Sequence, residues 1–120
     1  MDEKSIFIEV FGEHPLLKVL DFFMVYEDFD YSMTDIAKFS EIGYSTLKLF
    51  WDKLEQEQFV ILTRTVGKAK MYKLNLQNPV IQDFKRLYWT VTKQKVHEEL
   101  RIEEPVGLVN SSIAAPMAGE

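Results

Sequence analysis

Cysteine is absent from this chain, which excludes disulfides, thiol nucleophiles and cysteine-bound zinc or iron–sulfur centres. Histidine is almost absent. His14 and His97 stand far apart, each beside a glutamate (Glu13 and Glu98), and neither belongs to a paired-ligand spacing such as H-E-x-x-H. No run approaches the roughly 18 uncharged apolar residues that suggest a membrane helix. The acidic start Met1-Asp2-Glu3-Lys4 has no signal-peptide pattern, so the expected location is cytoplasmic, with no membrane partner. The acids Glu27, Asp28, Asp30 and Asp35 lack calcium-loop spacing and a central glycine, and they read as a solvated loop. Gly67 is the lone glycine of its stretch and makes no phosphate cradle. These absences lead to the expectation of a protein that is not an enzyme and has no metal and no cofactor.

What is present is apolar and aromatic. The chain is 47% hydrophobic and holds 9 Phe, 5 Tyr and 2 Trp, far from the composition of a disordered segment. Its 120 residues suit one domain with a real core, though a partner subunit would add to its stability.

The organising stretch runs from Ser32 to Leu76. Ser32 is suited to cap a helix start, with Asp35 three residues on. Ile36, Ala37 and Phe39 give a short helix, broken at Ile42-Gly43. A second helix opens at Tyr44-Ser45-Thr46, where Leu47, Phe50, Trp51 and Leu54 follow at i, i+3, i+4 and i+7 and so share a core-facing stripe. After Phe59 the period changes to that of strands. Val60–Val66 and Met71–Leu76 are rich in β-branched and aromatic residues and meet across Gly67-Lys68-Ala69-Lys70.

The flanks supply further helices. Ile6–Phe11 is an apolar run, strand or helical turn, which ahead of such a core packs across a partner subunit or onto the first helix; an arm contributing to a dimer is expected. Pro15 opens a long helix to about Tyr26, apolar on more than one face and therefore central. Phe29 and Tyr31 of the following acidic loop are expected in the core, with Tyr31 starting a very short strand beside the hairpin. Asn78 and Pro79 begin a last helix reaching about Arg101. Its stripe Val80, Ile81, Phe84, Leu87, Tyr88 and Val91 is more than a small domain needs, which predicts a homodimer interface. Residues 103–120 are rich in small residues and aperiodic, and a flexible tail is expected.

Two helices across a tight bend, then a hairpin with a basic tip, follow the plan of a winged helix-turn-helix. The fold class expected is mainly α with a small β-hairpin (α+β), with an added C-terminal helix. Its parts would be an arm (1–12), a winged-helix core (13–77), a dimerisation helix (78–102) and the tail. Over roughly residues 6–90 the chain resembles archaeal and bacterial winged-helix transcriptional regulators of the multiple-antibiotic-resistance and arsenical-repressor kind. Tyr31–Ala37, Ser45-Thr46-Leu47, Leu54–Val60 and Thr63–Asn75 carry the resemblance. Two positions depart from it: Phe50 stands where the family has a small residue, and Leu49 where it often has a basic or polar one.

The resemblance implies a double-stranded DNA partner, with the second helix (about 44–56) in the major groove and the wing (60–76) on the flanking backbone. On that helix Tyr44, Ser45 and Thr46 offer hydroxyls and free N–H groups to phosphate, and Lys48 and Lys53 offer charge. Leu49 suits a thymine methyl or another protein's apolar surface. On the wing Arg64, Lys68 and Lys70 are the candidate backbone contacts. Nothing in the sequence specifies an effector.

The net charge of −5 opposes nucleic-acid binding, but its distribution does not. Residues 1–36 hold nine acids against Lys4 and Lys18, whereas residues 59–79 hold four cations and no acid. Phosphate binding depends on such local patches more than on the total. The rival expectation is a protein–protein interaction module on the same scaffold, with Leu49 and the acidic N-terminal third facing the partner.

Overall fold

A computed structural model describes residues 4–100, and the tail assigned to 103–120 lies outside them. Over the described residues the chain is α+β, with five helices and a three-stranded antiparallel sheet in the order α1 (Ile6–Phe11), α2 (Pro15–Val25), β1 (Tyr31–Ser32), α3 (Met33–Ser40), α4 (Tyr44–Gln56), β2 (Val60–Val66), β3 (Ala69–Leu74) and α5 (Pro79–Leu100).

Most of these helices begin where a side chain or proline can satisfy or dispense with the first N–H groups. Ser5 Oγ accepts from Ile8 N at 3.1 Å, and Ser32 Oγ from Asp35 N at 3.2 Å. Asn78 Oδ1 accepts from Val80 N at 2.8 Å, with Pro79 at the first helical position. Pro15 opens α2 behind His14, whose Nδ1 accepts from Leu16 N at 3.3 Å.

Two left-handed residues turn the corners. Glu41, at φ 61°, ends α3 and sets up a three-residue turn into α4. Gln58, also at φ 61°, separates α4 from β2. Its carbonyl accepts the side-chain amides of Asn75 (2.8 Å) and Asn78 (3.1 Å), which ties the end of α4 to the start of α5.

The sheet order is β1–β3–β2. Tyr72 of the middle strand stands opposite Tyr31 on one side and Leu62 on the other. A bulge falls between Leu62 and Arg64 and re-aims Thr63. Beneath the sheet, Phe23, Ile36, Leu47, Trp51 and Leu74 are buried in one core, and Trp51 meets the Tyr72 ring edge-on at 5.0 Å.

The N-terminal run forms a helix that packs on this chain's own α5. The Phe7 ring lies 5.3 Å from that of Phe84 and 5.1 Å from that of Tyr88. Asp21 of α2 joins the three helices, because its Oδ1 accepts both Ser5 Oγ (2.6 Å) and Tyr88 Oη (2.7 Å). Burial, and after it this bond to Asp21, push the Tyr88 phenol well above its ordinary pKa. Lys85 reaches back to Glu27 at 2.9 Å and holds α5 to the acidic loop.

These contacts revise two expectations. Ile81 and Tyr88 of the stripe assigned to a partner are buried within this chain, and Phe84 packs against the same core. Helix α1 covers that face, which sequence periodicity does not distinguish from cover by a second copy. Phe29 is 66% exposed instead of buried, while Tyr31 does pack against the core.

If α1 is a structural part of the body, Phe7→Ala should cost about 3–5 kcal/mol in urea unfolding, the usual range for a fully buried phenylalanine. An unfolding curve matching the unmodified chain would show that α1 contributes no stability.

Candidate nucleic-acid interface

Helix α4 buries Leu47, Trp51 and Leu54, which sets its outer face by periodicity. Along that face Tyr44, Ser45, Lys48, Leu49 and Lys53 are exposed, Thr46 is half-buried, and Leu49 is the most open at 85%. Gly43 occupies the cap position and supplies no side-chain hydrogen bond, so the first-turn N–H groups of α4 have no cap from it. The Lys48 ammonium rests 5.7 Å from the centre of the Tyr44 ring, a cation–π contact one helical turn apart. Lys53, farther along, faces Glu57 at 3.8 Å, an exposed i,i+4 pair.

The hairpin reverses through Gly67-Lys68, between the paired residues Val66 and Ala69. Gly67 sits at φ 62°, a conformation glycine adopts without strain and one that suits a two-residue hairpin turn. The turn brings Lys68 and Lys70 to a groove of about 310 Å³ lined also by Ser32, Met33, Thr34, Tyr44, Ala69 and Tyr72. Two exposed lysines of the hairpin therefore border the N-terminal ends of both α3 and α4. The groove wall contributed by α3 is not evident in the sequence. Ser32 is recognisable there only as a cap, and its hydroxyl oxygen already accepts from Asp35 N.

Arg64 is placed differently from the two lysines. Its guanidinium holds Asp30 with two bonds, Nε to Oδ2 at 2.9 Å and Nη2 to Oδ1 at 3.0 Å. Thr63, at the bulge, donates to the same Oδ2 at 2.5 Å. The charge of Arg64 is thus paired with the loop before β1, and Asp30 is a latch on the base of the hairpin instead of a freely solvated acid. Sequence distance hides this pairing, since 34 residues separate the partners.

Among the described residues no group of three or more His, Asp or Glu could hold a metal ion, and no helix is long and apolar enough to cross a membrane. No family model matches the chain, and no curated protein matches it.

The bonds from Arg64, then Thr63, lower the Asp30 carboxyl to about 2 from the ordinary 3.8. With the folded value below the unfolded one, the latch contributes fully above about pH 4 and fades as pH falls toward 2. A carboxyl-carbon NMR titration should find Asp30 near the low value, and Arg64→Ala should move it back toward 3.8. An unmoved midpoint in that variant would mean that the two side chains are not paired in solution.

Proposed function

We propose that the chain is a sequence-specific, double-stranded DNA-binding transcriptional regulator, acting as a homodimer on a winged helix-turn-helix scaffold with an added C-terminal helix. Helix α4 enters the major groove, and the hairpin acts as the wing on the flanking backbone. The observation that carries this reading is the shared groove of Tyr44 with Lys68 and Lys70, which puts hairpin cations beside the start of the proposed recognition helix.

In this reading each part has a separable task. Lys68 and Lys70 neutralise phosphates and set the register, and this contribution is independent of sequence. Ser45 and Thr46, at a helix start with no side-chain cap, add hydroxyl and N–H donors for phosphate or base edges. Lys48 reaches a guanine edge or a phosphate, and Leu49 packs on a thymine methyl. Arg64 acts through Asp30 and steadies the wing, so only two of the three candidate wing cations meet the backbone.

The dimer is proposed along α5. Val80 and Leu87 stay exposed on one flank of that helix, while Trp89, Val96 and Leu100, spaced by seven and four, stay exposed on the other. Two wing domains joined there would address half-sites about one helical turn apart.

A second reading has one observation in its favour. Leu49 stands nearly free on the outer face of α4, and Ile61 and Leu62 are exposed on β2. An interaction module would use such residues against a partner protein, with little DNA affinity. Gel shifts with a non-specific duplex at low and moderate salt separate the readings, because only the DNA-binding one gives a complex that weakens steeply with salt.

Replacing Lys68 and Lys70 together with alanine should reduce the log–log salt slope of duplex binding by about 2, one unit for each phosphate no longer neutralised. An unchanged slope would remove the wing from the mechanism. Light scattering behind size exclusion should give a dimer mass at micromolar concentration, and Trp89→Asp with Val96→Asp should convert it to a monomer. A monomer mass for the unmodified chain would exclude the homodimer.

A further inference from the structure

Helices α1, α2 and α3 leave between them a recess of about 260 Å³, a size that admits only a small ligand. Ile8, Phe22 and Ser40 of its lining are buried, and Val25 and Tyr26 stand half-exposed beside them. Lys18 and Asp21 bring opposite charges to the same space, three residues apart on α2.

At that spacing a lysine and an aspartate ordinarily attract each other on a helix, but here each is held elsewhere. Asp21 Oδ1 accepts Ser5 Oγ at 2.6 Å and Tyr88 Oη at 2.7 Å, which draws the carboxylate toward α1 and α5. Lys18 Nζ donates to the Glu41 carbonyl at 3.1 Å, which draws the ammonium toward the end of α3. The two form no ion pair with each other or with another described residue. An ammonium has three donors and a carboxylate two accepting oxygens, so both keep bonding capacity after these contacts. The remaining charges of the lining are satisfied differently. Glu13 is paired with Lys4, which, with Lys18 acting at longer range, holds its carboxyl below the ordinary pKa. Glu41 is exposed, where water and salt screen its charge. The Ser40 hydroxyl is the opposite case. Its residue is only 4% exposed, and it has no hydrogen-bond partner among the described residues, a costly state for a buried polar group.

We propose that this recess binds a free apolar α-amino acid. The ligand's ammonium bonds to Asp21, its carboxylate to Lys18, and its side chain lies against Phe22, Val25 and Tyr26. Ser40 immediately precedes Glu41 and so belongs to the Lys18 end, where the carboxylate gives its hydroxyl an acceptor. The chemistry selects a zwitterion over a simple amine or acid. Two opposite charges held apart are both satisfied only by a ligand that carries both signs, and a ligand of one sign leaves the other charge unanswered. The apolar wall adds a preference for a side chain that glycine does not have. This site is independent of the DNA-binding reading, because none of its residues lines the groove beside α4.

The test titrates the full chain with L-leucine near neutral pH, where both ends of the ligand are charged, and follows the methyl NMR signals of Ile8 and Val25. The controls are 4-methylpentanoate, which lacks only the ammonium, 3-methylbutan-1-amine, which lacks only the carboxylate, and glycine, which lacks the side chain. Leucine should shift both signals saturably, and each control should bind about tenfold more weakly or not at all. Lys18→Gln keeps a donor for the Glu41 carbonyl, and it should weaken leucine about tenfold while thermal unfolding stays near that of the unmodified chain. Asp21→Asn keeps an oxygen for Ser5 and Tyr88, and it should remove the advantage of leucine over 4-methylpentanoate. Should that variant unfold, Lys18→Gln and the one-charge analogues still decide the matter. Absence of saturation, equal affinity for either one-charge analogue, or indifference to Lys18→Gln would each overturn the proposal.

Discussion

The pairing of Tyr72 on both sides is the constraint on which the rest of the structure depends. A hairpin alone is marginal in water, since two strands bury too little and leave both edges open. Here β3 is flanked by β1 at Tyr31 and by β2 at Leu62, while its Tyr72 ring lies against Trp51 of α4. One residue therefore fixes the hairpin to the sheet and the sheet to the helix. The T-shaped contact sets the direction of the hairpin relative to the α4 axis, and the β1 pairing prevents it from swinging. Burial, followed by the Glu55 charge, raises the Tyr72 phenol, as expected for a ring used as packing and not as a titrating group.

The second fixture is electrostatic and lies at the edge of the same unit. Asp30 precedes β1 directly, and through Arg64 and Thr63 it holds the bulged part of β2 across the sheet. The bulge is what turns Thr63 toward the acid. In an exposed setting such a pair contributes little to global stability. Its consequence is geometric: the base of the hairpin is bonded at a point where the ladder register slips. That bond also separates the cations into two kinds, Arg64 neutralised at the base and Lys68 and Lys70 left at the tip.

Local chemistry is legible in the sequence, and remote chemistry is not. Ser32, Pro15, Asn78 and Pro79 each mark a helix start through a bond spanning two or three residues or through a fixed φ, so a linear reading is sufficient for them. The change from helical to strand period after Phe59 is visible for the same reason. Other features depend on partners that sequence does not identify. The stripe containing Ile81, Phe84 and Tyr88 signals that something apolar covers it, but periodicity is the same whether the cover is α1 or another molecule. Phe29 looks buried by hydrophobicity, yet its loop is held by Asp30 and Glu27 through ion pairs that leave the ring outside. In the candidate interface, the exposed face of α4 follows from its buried one. The groove shared with the hairpin requires the β3 register, which the turn at Gly67 and the ring contact of Tyr72 determine together.

How a chain of net charge −5 would hold a polyanion becomes clearer once the ion pairs are assigned. Several acids of the N-terminal third have partners within this chain: Glu13 with Lys4, Glu27 with Lys85, Asp30 with Arg64, and Asp21 with two hydroxyl donors. Their negative fields are therefore partly compensated at short range. Lys48, Lys68 and Lys70 have no such carboxylate partner among the described residues; Lys68 and Lys70 border one groove, and Lys48 rests on the ring of Tyr44, which lines it. At an ionic strength near 0.15 M, charges beyond about 8 Å are largely screened. A phosphate in the proposed groove would accordingly interact with Lys68 and Lys70 far more than with the total charge.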